Sequence, residues 1–421
     1  MKKETKTSQK ILVIVNNIWP PPVLVTGVSI VYDCLKEFAH FGYEVHILTS
    51  VGLWEKNLQG SLMISDLGKV KKWHDRQSAK YNLIFHTYSL GFLNRLPGLS
   101  FFINRIVPFF IVPYLHQKYK FDLIHEYTST PLLIFRSWFL KKILNVKTFH
   151  TLMTELPTLL GSTWWLSFMK PKIDGVICSD NSIAKNLISV EYPQVLIHSL
   201  SLGVDYKRLT HLPDRLSIRK KYFIKQAKKA VLFLAPLDSH KGPDIFVKAC
   251  LKVIKSNLAK SKDFLFIIGT YQSGGKVPYG VRKSQILKMI KGKEEYFKIY
   301  EGLLKVEELY ALSDIVVVPQ SSIDGATGHP VTMLEAMTAK KIVIASDIAG
   351  IDEVVEDGDN GFLFTNKNPD SLAEKMLFVL QNLNNLGHVK RKALKTVEKG
   401  FKVDQIAKKL AIIYQGKKGV R

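Results

Sequence analysis

Residues 325–364 read GATGHPVTMLEAMTAKKIVIASDIAGIDEVVEDGDNGFLF. Gly325 to Pro330 is loop-like, and Pro330 prepares a helix that runs over Thr332–Ala339. Ile342–Ser346 is then an apolar, β-branched run of strand length, and a short strand follows at Phe362–Phe364. A further run of the same kind, Ile315–Pro319, precedes the loop. Strand, helix and strand thus make a βαβ unit whose strands are apolar on both faces, the mark of a parallel sheet.

The alternation extends outward from this unit. Ala230–Leu234 (AVLFL) and Phe264–Gly269 read as earlier strands of the same set. Near the amino end, Lys10–Val15 (KILVIV) and Glu44–Thr49 flank a helix over Ser29–Phe41, with Ile30, Val31, Cys34, Leu35 and Phe38 at helical spacing. Asp122–His125, Val146–His150 and Gly175–Ser179 read as later strands of that first sheet. Around Leu200–Pro213 the composition turns loop-like. Two consecutive sets predict an α/β chain of two doubly wound, Rossmann-like domains facing a central cleft, with ligands at the carboxyl ends of the strands. The expected boundaries are 1–200 and 201–400, with a basic helix over 401–421 packing back towards the first domain.

Composition narrows the function. Of 421 residues 46% are hydrophobic and 23% charged, which excludes a disordered chain. Sixty Lys and Arg against 36 Asp and Glu leave a formal charge of +24, so an anionic partner is expected. G-x-G-x-x-G, G-x-x-x-x-G-K-[ST] and H-E-x-x-H are all absent, and no zinc-finger or RNA-recognition signature appears, so nucleic acid is not the expected partner. Three separated cysteines, Cys34, Cys178 and Cys250, fit a reducing compartment rather than a disulfide framework. Ile11–Val15 is too short for a signal peptide. Leu99–Leu115, broken by Asn104, Arg105, Pro108 and Pro113, does not read as a spanning helix. The segment Leu93–Leu115, with Arg95 and Arg105 inside it and His116, Lys118 and Lys120 after it, reads two ways. It is either a basic amphipathic stretch lying on an anionic membrane or a helix packed into the first domain.

The chemistry concentrates in the quoted stretch. The first backbone N–H groups of its helix, near Thr332 and Met333, suit a phosphate. Glu335 lies in the first turns of an otherwise apolar helix, so its carboxylate must be paired: a ribose diol fits, and so does a neighbouring lysine. Lys241, between a strand and the helix begun at Pro243-Asp244, is either a cation for a diphosphate or a solvated surface lysine.

The runs GHPVTMLEAM and VIASDIAGIDEVVEDGDNGFLF resemble the carboxyl-terminal signature of glycosyltransferase family 4, retaining enzymes of the GT-B fold. Weaker resemblance covers almost the whole chain: Asn16–Gly27 to the family's glycine loop, DLIH at 122–125, DGVICS at 174–179, SLGVD at 201–205 and DSHKG at 238–242. The resemblance implies an acceptor-binding first domain and a nucleotide-sugar-binding second one. It implies that Glu335 holds the ribose hydroxyls and that Lys241 stabilises the departing diphosphate. His150 would reach the donor sugar. Gly27 and Gly328 would let backbone approach the donor, and Gly302 would meet the nucleobase. Two positions depart from the pattern. Thr327 stands where the first of a Glu-x7-Glu pair is expected, with Asp324 three residues earlier, and Pro236 stands where an arginine is customary. The implied reaction is transfer of a sugar from a nucleoside-diphosphate donor to a hydroxyl acceptor with retention, without a metal, in glycolipid, lipid-linked oligosaccharide or cell-surface polysaccharide synthesis. The implied location is the cytoplasm, at the inner face of the cell membrane. Thr327 and Pro236 also leave open a noncatalytic binding subunit, and an epimerase or phosphorylase on the same fold remains an alternative.

Overall fold

The structure, a computed structural model, describes residues 8–15, 26–50, 67–89, 97–128, 133–153, 172–225, 229–256, 264–270, 283–302, 305–322 and 328–416. The chain divides into two compact units. Met1–Asn57, Met63–Leu202 and Val403–Arg421 belong to one, and Gly203–Lys402 to the other.

In the first unit, strands Lys10–Ile14 (β1), Glu44–Ser50 (β2), Leu83–Tyr88 (β3), Leu123–Thr128 (β4), Lys147–Leu152 (β5), Gly175–Cys178 (β6) and Ile197–Ser199 (β7) form a parallel sheet. Its order is β3-β2-β1-β4-β5-β6-β7, which reverses between β1 and β4. Helices Thr26–His40 (α1), Leu67–Tyr81 (α2), Pro97–Tyr119 (α3), Ile134–Leu144 (α4) and Asn181–Ser189 (α5) accompany it. The β1 and β2 side chains are buried almost without interruption, as a parallel sheet covered on both faces requires.

Helix α3 is one continuous helix although Pro108 and Pro113 lie inside it. Proline has no N–H, so the carbonyl four residues earlier loses its donor. Here the Tyr88 hydroxyl donates to the Asn104 carbonyl at 3.4 Å, and Arg136 Nη1 donates to the Arg105 carbonyl at 2.6 Å. The Tyr88 hydroxyl thus stands in for the bond that Pro108 removes, and Arg136 adds a donor at the next carbonyl. Among the described residues no helix is long and apolar enough to cross a membrane.

The second unit contains helices Tyr206–Thr210 (α6), Arg215–Lys221 (α7), Pro243–Lys255 (α8), Lys283–Met289 (α9), Val306–Leu312 (α10), Val331–Thr338 (α11), Pro369–Asn382 (α12) and Gly387–Gly400 (α13). Strands Lys229–Leu234 (β8), Phe264–Thr270 (β9), Phe297–Glu301 (β10), Ile315–Val318 (β11), Ile342–Asp347 (β12) and Phe362–Thr365 (β13) form its parallel sheet, in the order β10-β9-β8-β11-β12-β13. Phe233, Phe246, Phe266 and Phe364 are each buried in its core. Each such side chain contributes about 1.5–3 kcal/mol relative to exposure. The chain then returns to the first unit as Val403–Tyr414 (α14), which packs on α1. The Tyr414 ring stacks on Phe38 at 5.4 Å between centroids, and its hydroxyl makes a short hydrogen bond with His125 Nδ1.

Candidate active site

In the second unit the strand order reverses at β8 and β11, where a doubly wound sheet opens for a ligand. After β8 the chain makes one 3-10 turn, Ser239–Lys241, and then passes through Gly242 with φ +69°. A Cβ on Gly242 would lie 1.9 Å from the Pro319 carbonyl oxygen, so only glycine lets this turn close on the end of β11. The Ser321 N–H donates to the His240 carbonyl at 2.8 Å, which fixes the turn further. Lys241, half-buried, donates from Nζ to Gln320 Oε1 at 2.8 Å. Burial pushes its ammonium down to about 8, with the nearby Asp238 carboxylate working the other way. Lys241 is therefore a cation held at the end of the two central strands.

Helix α11 starts beside it. The Thr332 hydroxyl donates to the carbonyl of Leu234, the last residue of β8, at 3.3 Å. The N–H groups of Val331 and Thr332 open the helix without an intrahelical acceptor. Met333 corrects the expectation for its N–H: that group donates to the Pro330 carbonyl at 2.9 Å, because the first turn tightens, and the side chain is buried in the core. Gly328 lies against Gly350, where a Cβ would come within 2.6 Å of the Gly328 Cα.

One turn into α11, Glu335 is 3% exposed. Its Oε1 accepts from Arg208 Nη2 at 2.8 Å and its Oε2 from the Tyr310 hydroxyl at 2.9 Å. The counter-ion is thus an arginine on α6 rather than a neighbouring lysine. Asp205 caps α6, accepting from the Arg208 N–H at 3.1 Å, and Arg208 Nε also lies 3.4 Å from Glu307. Burial, together with Glu335, raises the Tyr310 hydroxyl well above its ordinary range, so it stays a donor. Gly302 follows β10 with φ +93°, and its N–H donates to the Thr270 carbonyl at 3.1 Å. Lys241, Gln320, Thr332 and Gly302 all fall at the carboxyl edge of the second sheet.

In the first unit, His150 lies inside β5 rather than at its end, in register with Glu126 on β4. Glu126 is buried and paired with Arg136, with Arg136 Nε 3.2 Å from Oε2 and Nη2 in close contact with Oε1. The Ser137 hydroxyl donates to Glu126 Oε2 at 3.0 Å and lies 2.8 Å from His150 Nδ1. His150 Nε2 is buried and has no hydrogen-bond partner among the described residues. Burial, with Arg136 adding to it, holds this imidazole neutral, down to about 3. Gly27 lies in the first turn of α1 rather than in a loop. Thr327 and Asp324 lie outside the described residues. Among the described residues no group of three His, Cys, Asp or Glu side chains is placed to share a metal ion. The sequence reading missed Arg208, Tyr310 and Gln320. Only Arg208 carries a signal, falling three residues after the SLGVD run.

Residues 214–396 match the family model described as glycosyl transferases group 1. The uncharacterized glycosyltransferase MJ1607 of Methanocaldococcus jannaschii is 27% identical over 245 residues, 57% of this chain and 56% of that protein, so the match spans little more than half of it. The N-acetyl-alpha-D-glucosaminyl L-malate synthase of Bacillus anthracis is 22% identical over 90% of this chain and 91% of its own. The crystal structure of Anabaena Alr3699/HepE in complex with UDP-glucose superposes with a TM-score of 0.71 at 16% identity, covering 97% of this chain and 100% of that one. Residues 214–396, within the second unit, are thus similar to the group 1 glycosyl transferases, and the chain shares with that crystal structure its fold, two α/β domains each built on a parallel sheet.

Proposed function

We propose that this protein is a retaining glycosyltransferase of the family 4 type, moving a hexose from a nucleoside-diphosphate donor to a hydroxyl acceptor. The observation that carries the proposal is the grouping of Lys241 and the Thr332 end of α11 at the carboxyl edge of β8 and β11, with Glu335 one turn on. It falls within the segment matched by the group 1 family. The acceptor oxygen bonds to the anomeric carbon as the carbon–oxygen bond to the diphosphate breaks, and the acceptor's proton passes to the departing diphosphate. Lys241 and the α11 N–H groups stabilise the charge that develops on that diphosphate. Glu335, steadied by Arg208 and Tyr310, takes the ribose hydroxyls, and Gly302 meets the base. Gly27 and Gly328 leave room for the donor, and Thr327 takes the sugar-facing place of the missing carboxylate. No metal has a part in this scheme. The first unit takes the acceptor, and His150 accepts a hydrogen bond from a sugar hydroxyl.

The proposed acceptor is lipid-linked or a saccharide at the inner face of the cell membrane, in glycolipid or cell-surface polysaccharide synthesis. Support comes from α3, where Ile106, Phe110 and Tyr114 are exposed at helical spacing, and Phe110 is 73% exposed. Phe139 and Ile143 of α4 are exposed too, and the Phe109 and Phe139 rings meet at 5.3 Å. Lys118 and Lys142 are exposed on the same two helices. An apolar stripe beside lysines on a +24 chain suits an anionic bilayer. The test is incubation with UDP-, GDP- and ADP-hexoses while the released nucleoside diphosphate is followed. Slow donor hydrolysis that Glu335→Ala lowers at least tenfold supports the reading. Failure of every nucleoside diphosphate to bind by calorimetry overturns it.

A further inference from the structure

The first unit holds a buried polar chain with one end left open. Arg136 neutralises Glu126, the Ser137 hydroxyl lies between Glu126 and His150, and His150 Nε2 faces no partner among the described residues. All four residues are at most 3% exposed. An unpaired nitrogen at such depth costs about 1–3 kcal/mol, so a fold that keeps one is expected to use it.

The direction of the hydrogen bonds can be worked out. A carboxylate paired to a guanidinium only accepts. Ser137 has a single hydroxyl proton, and at 3.0 Å from Glu126 Oε2 that proton must point at the carboxylate, or two lone pairs would face each other. The Ser137 oxygen is then an acceptor towards His150, 2.8 Å away. His150 Nδ1 must therefore carry the imidazole proton, which leaves Nε2 bare.

We infer that Ser137, held by Glu126 and Arg136, is a positioning residue that fixes His150 as the Nδ1–H tautomer, so that Nε2 offers a lone pair to a saccharide hydroxyl. The inference deepens the proposed function and rests on it for the identity of the ligand. Its chemical content is a polarity: this site takes a hydroxyl donor and rejects a carbonyl or carboxylate oxygen, which would set lone pair against lone pair. The chain reaches further back. Arg136 also donates to the Arg105 carbonyl in α3, so the turn of α3 that Pro108 disturbs helps to hold the guanidinium in place.

The test starts from the intact protein, labelled with 15N in its histidine rings and read at pH 7 without ligand. The His150 ring, assigned by the signals lost in His150→Gln, is expected to show a pyrrole-type Nδ1 and a pyridine-type Nε2. Ser137→Ala removes the acceptor for Nδ1–H. The ring should then populate the other tautomer, and kcat/KM for sugar transfer should fall about tenfold. Affinity for the free nucleoside diphosphate should stay within about twofold, since that ligand lacks the sugar to be transferred. Ser137→Thr, which keeps the hydroxyl, should restore most of kcat/KM. A pyrrole-type Nε2 in the unsubstituted protein overturns the inference without any variant. So does a Ser137→Ala protein with unaltered tautomer and unaltered kcat/KM. Should no nucleoside diphosphate bind, the proposed function fails, while the ring spectrum still judges the tautomer.

Discussion

Lys241 is the residue whose ionisation carries most consequence. Burial lowers its pKa from 10.5 to about 8, so in the free protein the cation is complete below that pH and fades above it. A bound diphosphate favours the cation and raises its pKa. Affinity for a nucleoside diphosphate is therefore flat below about pH 8 and falls as pH rises through it, by up to about tenfold per unit. Calorimetry between pH 6.5 and 9.5 checks the slope, and Lys241→Met should abolish it while weakening binding throughout. Arg136 supports a stability prediction. Arg136→Met strands the Glu126 carboxylate, 1% exposed, without its counter-ion. The expected loss is about 3–5 kcal/mol in urea unfolding, against less than 1 kcal/mol or so for an exposed pair such as Lys248–Asp244. At this scale sequence and structure part company. Glu335 announces itself as a carboxylate in an apolar helix, but its partner Arg208 lies 127 residues away, and no spacing rule joins the two.

At the scale of elements, what the sequence displays depends on how much of an element is buried. Strands β1, β8, β9, β11 and β12 are legible because strands inside a parallel sheet are nearly continuous apolar runs. Strand β3 (LIFHTY) carries His86 and Tyr88 at the sheet's edge, and α2 is mostly polar, so neither stands out. Helix α3 looks interrupted because local rules charge Pro108 with breaking a helix. The donor that compensates, the Tyr88 hydroxyl, comes from β3 and not from the helix itself. The outward face of α3 gives a prediction at its own scale. Replacing Phe110 and Tyr114 together by serine should reduce flotation with anionic liposomes at least tenfold and leave nucleotide affinity unchanged. Equal flotation of the double variant and the parent protein would remove the membrane assignment.

Across the whole molecule, a net charge of +24 makes any binding to anionic vesicles weaken with salt, since the screening length falls from about 10 Å at 0.1 M to about 3 Å at 1 M. The division into two units was legible as two runs of βαβ units, because each run repeats the same alternation with its own central strands. The return of a helix near residues 401–421 to the first unit is expected from the sequence, whereas its choice of α1 as partner has no comparable signal. Its packing depends on Tyr414 meeting Phe38 and His125, the latter 289 residues earlier in sequence. Tyr414→Phe keeps the ring but removes the partner of His125 Nδ1. It should cost about 1–3 kcal/mol of stability, read as a lower midpoint in thermal unfolding.

The placement of α14 also orders events during synthesis. Translation runs from the amino end, so the seven-stranded sheet emerges long before the helix that covers α1. Until residue 414 clears the ribosome, the part of α1 that α14 covers stays uncovered, while every strand of the six-stranded sheet has already emerged. The half made first is finished last, and a nascent chain stalled anywhere before α14 leaves that surface for a chaperone to shield.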